Sequence, residues 1–462
     1  MTDLPLSEFR RQARRVAEWN ADFLERVESL PVRARSEPGT VLAALAPEAP
    51  EEGRGFDDLM REFDELIVPA LTHWAHPSFF GYFPAGGSGP GALGEMLAAV
   101  LNTNAMVWQA SPAGTELELA VTGWLGRLLG LPHEVGVIND TASSSTMHAL
   151  AAARARVYPD AEERGLFGAP RGRVYASEEA HSSVEKAARA VGLGKPRSVR
   201  TRANLSMCPV ALEEAMRKDA ERGDRAVAVV ATLGTTSTAA IDPIAGIARA
   251  ARGFGAWVHA DAAYGGVAAM VPAVRRRFAG WEDVDSVVVN PHKWLFTPID
   301  CSVLFCRNPD DLRRAFSVRP EYLEGRRAAQ GDLTDYGLAL GRRFRSLKLW
   351  LTLSCFGRSG LVERLAGHMA WCRSLEGWID AEEGWERVAS SPLATTVFRR
   401  RGDDAGNFAI LEYVNDSGRA FITHTRVGGR VALRVAIGNI RTERRHVEEL
   451  WELLREAARE VG

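Results

Sequence analysis

The sequence is poor in cysteine and carries no excess charge of either sign. Its five cysteines, Cys208, Cys301, Cys306, Cys355 and Cys372, are scattered without a CxxC pair. This pattern argues against a disulfide framework or a zinc site, so we expect no metal centre. The 57 Lys and Arg nearly balance the 59 Asp and Glu, giving a net charge of -2. The net charge therefore gives no strong electrostatic attraction to nucleic acid or to an anionic membrane. A small-molecule partner is the better expectation.

Long apolar runs are also missing. No uninterrupted stretch approaches the roughly 20 residues that span a bilayer. Residues 1–19 are charged and helix-like, without the apolar core of a secretion signal. We therefore expect a cytoplasmic protein with no membrane segment. The 462 residues, 46% of them hydrophobic, suffice for a large buried core.

Hydrophobic periodicity divides the chain into three regions. Residues 1–100 have helical periodicity, broken by a Pro/Gly/Glu-rich stretch and then by an aromatic, glycine-rich run at 76–87. In residues 101–345, short β-rich runs alternate with alanine-rich amphipathic stretches, which predicts an α/β domain with a mainly parallel sheet. Residues 346–462 predict a small α+β domain. The predicted strands are 134–139, 173–176, 226–233, 256–260, 284–290, 394–399, 408–413 and 431–437, with helices at 345–378 and from about 442.

Lys293 gives the strongest local signal, because the segment Asn290-Pro-His-Lys-Trp294 directly follows the apolar run 284–289. In open α/β sheets the carboxyl ends of the strands face the ligand. A lysine held there among apolar neighbours can lose its proton and attack an aldehyde, as lysine does with pyridoxal phosphate. The alternative is a solvated surface lysine.

Asp261 ends a second predicted strand in the same way. A carboxylate against the pyridine nitrogen of the cofactor keeps that nitrogen protonated and makes the ring an electron sink. Alone, Asp261 would more often be a helix cap, but its pairing with the segment Asn290 to Lys293 favours the functional interpretation. The Ser/Thr cluster Thr141–Thr146 opens a predicted helix where a phosphate could bind, although such clusters usually only cap helices. Thr236 follows a further strand at the same edge.

Two further residues have both functional and ordinary interpretations. His181 follows a strand and precedes a helix, where its ring could lie over a flat cofactor; it could also be a partly buried loop histidine. Tyr336 lies in a polar, glycine-containing segment that looks mobile, and a phenol on such a loop can deliver a proton. An ordinary surface aromatic is the alternative for Tyr336.

Together these segments resemble the group II pyridoxal-phosphate-dependent amino-acid decarboxylases, and most closely the aromatic-L-amino-acid decarboxylases of bacterial type. The resemblance runs nearly end to end. Its landmarks are HPSFFGYFPAGG at 76–87, WQASPAGTELE at 108–118, AHSSVE at 180–185, ATLGTT at 231–236, HADAAY at 259–264, NPHKW at 290–294 and LGRRFRSLK at 340–348.

The resemblance implies the fold type I architecture of aspartate aminotransferase and a homodimer with shared active sites. Lys293 would attach to the cofactor, and Asp261 would pair with its pyridine nitrogen. His181 would stack on one face of the ring, and Ala263 would pack against the other. The remaining cofactor contacts would come from Ala142, Ser143, Thr236, Asn290 and His292.

The resemblance also implies the substrate pocket and the catalytic proton donor. The substrate would meet Trp74, Tyr82, Phe83, Pro84, Ala85, His181, Gly357 and Arg434. Tyr336 would protonate the α-carbon, and tyrosine rather than phenylalanine at this position favours an amine product. Gly357 goes with indole substrates in related plant enzymes, which tilts the expectation towards tryptophan. Asp140 departs from the family pattern and must point away from the phosphate.

We therefore expect decarboxylation of an L-amino acid to the amine and CO2, with an aromatic substrate such as tryptophan, tyrosine, phenylalanine or dihydroxyphenylalanine. The alternatives are a decarboxylase of glutamate or another acidic amino acid, and an aromatic aldehyde synthase. A pyridoxal-phosphate-binding scaffold without turnover is a further alternative, which the joint presence of Lys293, Asp261, His181 and Tyr336 disfavours.

Overall fold

The computed structural model describes residues 3–133, 135–318 and 331–461. Its α-helices are α1 (Leu6–Arg26), α2 (Thr40–Ala44), α3 (Phe56–Glu62), α4 (Gly89–Leu101), α5 (Pro112–Leu129), α6 (Ala142–Val157), α7 (Ala161–Arg164), α8 (Ser182–Ala190), α9 (Pro209–Ala220), α10 (Ile244–Arg252), α11 (Pro272–Arg275), α12 (Pro309–Phe316), α13 (Ser346–Ala381), α14 (Asp404–Asp416) and α15 (Arg444–Glu460). Among the described residues, no helix combines the length and apolar character needed to cross a bilayer.

A seven-stranded sheet, the large sheet, forms the centre of the molecule. Its strands are β1 (Val135–Asn139), β2 (Gly172–Ser177), β3 (Arg197–Val199), β4 (Arg225–Thr232), β5 (Trp257–Asp261), β6 (Ser286–Val289) and β7 (Ser302–Cys306), in the order β1-β7-β6-β5-β4-β2-β3. Only β7 runs antiparallel to its neighbours in this sheet as described. The prediction of a mainly parallel sheet with flanking helices is therefore confirmed.

A second, four-stranded antiparallel sheet, the small sheet, follows α13. Its strands are β8 (Trp385–Ala389), β9 (Thr395–Arg400), β10 (Thr423–Val427) and β11 (Arg430–Ala436), in the order β10-β11-β9-β8. The start of α13 lies one residue after the predicted boundary at 345. The three-domain division itself stays a prediction.

The strand predicted at 408–413 is wrong, because these residues lie inside α14. The Asp403 carboxylate caps the helix by accepting from the Gly406 N–H at 2.8 Å. The buried side chains then recur at Asn407, Ile410, Leu411 and Val414, which is helical spacing. The prediction took the apolar run as a strand of period two, whereas the Asp403 cap, five residues before the run, starts a helix of period 3.6. Sequence reasoning also missed β3, β7, β8 and β10.

The aromatic run at 76–87 joins the two sheets. The Phe80 N–H donates to the Phe421 carbonyl at 2.8 Å, and the Phe80 carbonyl accepts from the Ala436 N–H at 2.9 Å. A few residues later the Ser88 N–H donates to the Phe296 carbonyl at 2.8 Å, in the loop after β6. Residues 81–87 are therefore pinned at both ends and pass across the carboxyl edge of the large sheet.

A buried ion pair beside the large sheet joins the segments 108–118 and 340–348. Arg342 and Glu118 are both buried and form a direct ion pair. The Glu118 carboxylate also accepts from the Ile138 N–H of β1 at 2.8 Å, and Arg342 donates to the Ile138 carbonyl at 3.1 Å. Such a pair makes α5, β1 and the segment before α13 interdependent, since removing one partner would leave the other charge buried.

Candidate active site

The carboxyl ends of three central strands lie side by side. Thr232 of β4 pairs with Asp261 of β5, and Asp261 pairs in turn with Val288 of β6. The segments that leave these strands therefore start from one edge of the sheet, as the carboxyl ends of parallel strands must. Lys293 follows β6 by four positions and so reaches the same edge as Asp261.

A cavity of about 430 Å³ opens at this edge, which is the size of a small-molecule site. It is lined from three parts of the chain: the aromatic run, the loops after the central strands, and the small sheet. Its lining residues are Trp74, Tyr82, Phe83, Ala85, His181, Thr236, Ser237, His292, Lys293, Ile299, Thr423, His424, Thr425 and Arg434.

The Lys293 amine lies in the wall of this cavity, 5.2 Å from the centre of the Phe83 ring. Burial lowers the pKa of Lys293; the Asp261 carboxylate opposes that shift and the Arg434 cation adds to it. Lower pKa means that a larger share of the amine is uncharged near neutral pH, which is the form that attacks an aldehyde.

Arg434 ties the cavity walls together. Its Nε donates to the Thr236 carbonyl at 2.9 Å and to the Ser237 carbonyl at 3.1 Å, and its Nη1 donates to the Tyr82 carbonyl. The guanidinium lies 4.6 Å from the Phe83 ring centre. Its Nη2 is buried and finds no hydrogen-bond partner within the described ranges. Arg434 therefore keeps one donor available to a bound molecule.

His181 occupies the N-cap position of α8. Its Nδ1 accepts from the Ser183 N–H at 3.2 Å and lies 2.8 Å from the Ser183 hydroxyl. These contacts fix the orientation of the ring through Nδ1. Burial lowers the pKa of His181, and the Asp261 carboxylate opposes that shift. An exposed, oriented ring at the cavity wall is suited to stack on a planar ligand.

The amino end of α6 lies beside Asp261 and offers backbone donors. Ala142, the first residue of α6, packs with Ala263 and Val288. Thr141 makes no side-chain cap with the described part of α6, so the N–H groups of the first turn, including that of Ser143, can meet an anion. The Asp140 carboxylate accepts from the Thr141 N–H at 2.6 Å and so bonds its own turn.

Asn290 and His292 form a buried pair after β6. His292 Nδ1 accepts from the Cys301 N–H at 2.9 Å, and burial lowers the pKa of His292 to about 4. The neutral ring therefore carries its proton on Nε2, which lies 3.2 Å from the Asn290 amide. The amide oxygen is the natural acceptor for that proton, which leaves the amide nitrogen to donate to an anion.

Aromatic rings form one wall of the cavity. Trp74 and Tyr82 stack with ring centres 5.6 Å apart, and Phe83 stacks on Tyr264 at 3.8 Å. Tyr264 stacks in turn on Trp294 at 5.0 Å, the residue after Lys293. Of the substrate residues expected in this run, Trp74, Tyr82, Phe83 and Ala85 line the cavity, whereas Pro84 is buried outside the lining.

The residues present fit pyridoxal phosphate. The edge offers an amine, a buried carboxylate and a helix amino end, which match the aldehyde, ring nitrogen and phosphate of the cofactor. Within the described residues, three buried polar atoms near this edge lack partners: Ser177 Oγ, Thr232 Oγ1 and Arg434 Nη2. Buried polar groups are normally satisfied, so these atoms point to a polar ligand.

Gly357 lies elsewhere, at a kink inside α13, with φ 59° and ψ 176°. This conformation strongly favours glycine, since a side chain would be strained there. Gly357 is outside the cavity lining of this chain. The backbone is thus sufficient to explain the glycine, and the inference of an indole substrate from it loses weight.

Sequence reasoning missed the contribution of the small sheet to the cavity. Thr423, His424 and Thr425 of β10 line it, as do Ile299 and Ser237. Ser237 directly follows Thr236, which the sequence analysis placed at this edge. The β-branched residues Ile422, Thr423, Thr425 and Val427 are a strand signal that could have revealed β10.

Comparison with known proteins agrees with this geometry. The family model described as the pyridoxal-dependent decarboxylase conserved domain matches residues 38–401. The chain belongs to this family. It is therefore a pyridoxal-phosphate-dependent carboxy-lyase, and the expected cofactor is confirmed.

Relatives align along nearly their whole length. Tyrosine decarboxylase 4 of Petroselinum crispum is 35% identical over 99% of this chain and 94% of its own. Tryptophan decarboxylase 1 of Oryza sativa subsp. japonica is 36% identical over 96% and 92%. Phenylacetaldehyde synthase of Arabidopsis thaliana is 35% identical over 95% and 93%. The crystal structure of Catharanthus roseus tryptophan decarboxylase in complex with L-tryptophan superposes with a TM-score of 0.94, 34% identity and complete coverage of both chains. The fold type I expectation is confirmed.

Tyr336 is the exception among the expected catalytic residues of this decarboxylase. Tyr336 ends a 3-10 helix (Leu333–Tyr336) and is 1% exposed, so the alternative of an ordinary surface aromatic is wrong. Arg313 of α12 donates to its hydroxyl at 2.5 Å. Burial raises the pKa of Tyr336, although Arg313 opposes the shift. Tyr336 does not line the cavity of this chain, and its role as proton donor stays a prediction.

Replacing Tyr336 with phenylalanine should lower stability, because it removes the bond from Arg313. Losing that bond should cost about 1 kcal/mol, seen as a lower melting temperature. Tyr158→Phe is the matched control, since the buried Tyr158 hydroxyl donates to the Pro170 carbonyl at 2.8 Å. A Tyr336→Phe protein of unchanged stability would contradict this prediction, and one that released an aldehyde would support the proton-donor role.

Proposed function

We propose that this decarboxylase converts an aromatic L-amino acid to the corresponding amine and CO2, with pyridoxal phosphate held by Lys293. The observation that carries the proposal is a cavity lined both by Lys293, whose amine lies over the Phe83 ring, and by the aromatic side chains of Trp74 and Tyr82. Both chemical requirements, a cofactor amine and a surface for a flat side chain, meet there.

Different residues at the sheet edge would hold different parts of the cofactor. Lys293 supplies the amine, which burial keeps partly uncharged. The amino end of α6 with Ala142 and Ser143, together with Asn290 and His292, would receive the phosphate. When bound, pyridoxal phosphate supplies a conjugated ring that takes up the electron pair left when CO2 departs.

Asp261 and His181 would control charge and orientation at the ring. The buried Asp261 carboxylate would keep a proton on the pyridine nitrogen, which maintains the ring as an electron acceptor. His181, fixed through Ser183, would cover one ring face while Ala263 packs against the other. Thr236 lies at the same wall, where its backbone is held by Arg434.

The substrate would lie between the aromatic wall and the small sheet. Arg434 Nη2 is a buried donor suited to a polar contact with the substrate. Full burial of an aromatic side chain against Tyr82 and Phe83 would contribute roughly 1.5–3 kcal/mol to binding. Tryptophan and tyrosine are both supported, because relatives named for each are about equally similar to this chain.

An aromatic aldehyde synthase is the second candidate, because a phenylacetaldehyde synthase shares 35% identity with this chain. The same cavity would serve either activity, since both begin with loss of the carboxyl group of an aromatic amino acid. The products distinguish them.

Product analysis by mass spectrometry tests the proposal. The purified protein with pyridoxal phosphate is incubated separately with tryptophan, tyrosine, phenylalanine, dihydroxyphenylalanine, histidine and glutamate. We expect an aromatic amine from at least one of the first four. An aldehyde would favour the second candidate, and turnover of glutamate alone would contradict an aromatic substrate.

We propose further that the protein is a cytoplasmic homodimer. Helix α4 exposes Leu93, Leu97, Val100 and Leu101, a stripe of large apolar side chains on one helix. An apolar stripe of this kind is typical of a protein interface. Sedimentation velocity should give a dimer of the 50.4 kDa chain, and a Val100→Glu variant should shift the population towards monomer. A wild-type monomer would contradict the proposal.

A further inference from the structure

A chain of hydrogen bonds runs through the interior behind Asp261. The Trp257 indole N–H donates to Ser286 Oγ at 2.8 Å, Ser286 Oγ lies 2.8 Å from His259 Nδ1, and His259 Nε2 lies 3.3 Å from Thr146 Oγ1. All four side chains are buried. This series of hydrogen bonds therefore links β6, β5 and α6 and has no contact with solvent.

The direction of each bond follows from the donors available. Trp257 can only donate, so the Ser286 oxygen accepts from it and its own proton is free for His259 Nδ1. Burial lowers the pKa of His259 to about 4, although Asp261 opposes the shift, so the ring is neutral at neutral pH. A neutral ring that accepts at Nδ1 carries its proton on Nε2 and donates it to Thr146.

The position of His259 relates it to both ends of the proposed cofactor site. On β5, His259 lies two residues before Asp261, about 7 Å along the strand and on the same face of the sheet. On α6, Thr146 lies four residues after Ala142, about 6 Å along the helix. The His259–Thr146 contact therefore joins the two elements at nearly equal distances behind the carboxylate and the phosphate-binding helix end.

We propose that His259 is a positioning residue that sets the distance between Asp261 and the amino end of α6. The pyridine nitrogen and the phosphate belong to one molecule, in which a short CH2–O arm limits their separation, so Asp261 and α6 must be spaced to match it. This inference rests on the proposed function, because it assumes that Asp261 and α6 bind those two groups.

Other contacts keep α6 folded when this one is removed. Ser145 Oγ lies 3.0 Å from Ser302 Oγ of β7, and the Asn139 amide donates to Ser145 Oγ at 3.1 Å. These bonds tie α6 to β1 and β7, whereas His259 ties it to β5, the strand that carries Asp261. Loss of His259 should therefore change the spacing rather than unfold the helix.

The experiment compares the binding of pyridoxal phosphate and of pyridoxal, which lacks the phosphate, to the cofactor-free protein. The Kd of pyridoxal divided by the Kd of pyridoxal phosphate measures how much the phosphate adds to binding of the ring. This quotient is called the ratio below. His259→Asn keeps an acceptor near Ser286 but is too short to reach Thr146, and Thr146→Val removes the other partner. Each should lower the ratio about fivefold to tenfold, the effect of one buried hydrogen bond.

Two further variants separate positioning from general destabilisation. His259→Gln, whose amide can reach Thr146, should recover most of the ratio. In the double variant His259→Asn with Thr146→Val, the ratio should fall no further than in either single variant, because the two residues act through one bond. Thr122→Val, which removes a buried hydroxyl that donates to the Glu118 carbonyl at 2.7 Å, should leave the ratio unchanged.

The outcomes distinguish this inference from the proposed function. An unchanged ratio in His259→Asn and Thr146→Val, or an equal loss of affinity for both ligands, would overturn the positioning role while wild-type cofactor binding stands. A wild-type protein that failed to bind pyridoxal phosphate would instead contradict the proposed function.

Discussion

The site depends on the parallel, in-register alignment of β4, β5 and β6. Because Thr232, Asp261 and Val288 lie side by side, every segment that leaves these strands begins at one edge. That edge brings the Lys293 amine within electrostatic reach of the Asp261 carboxylate, with Asp261 buried and Lys293 partly buried. Burial of a lone amine would be costly, and the carboxylate reduces that cost while burial still favours the uncharged form.

The remaining walls are supplied by elements distant in sequence, and Arg434 connects them. It reaches from β11 to the loop after β4 and to the aromatic run, whose own backbone bonds the small sheet through Phe80. The cavity therefore exists only when the large sheet, the small sheet and the N-terminal region have come together. Cofactor and substrate binding should accordingly stabilise the packing of all three regions.

The sequence was most informative where local pattern and site coincide. Apolar runs followed by Asp261 and Lys293 predicted both the strands and their functional ends, because strand period and strand polarity are local properties. The environment of Tyr336 was not predictable, since its burial depends on Arg313 and α12 rather than on its neighbours. Helix α14 was misread because its apolar segment is short and the deciding signal, the Asp403 cap, lies outside it. The lining by β10 depends on tertiary packing, which no local pattern encodes.

The central claim is that Lys293 is the residue that holds the cofactor. It is tested most directly by treating the protein and pyridoxal phosphate with borohydride, which makes the linkage permanent, and then mapping the labelled peptide by mass spectrometry. The account predicts a single pyridoxyl group on Lys293 in the segment Asn290-Pro-His-Lys-Trp294. A label on another lysine, or none in a protein that decarboxylates its substrate, would contradict it.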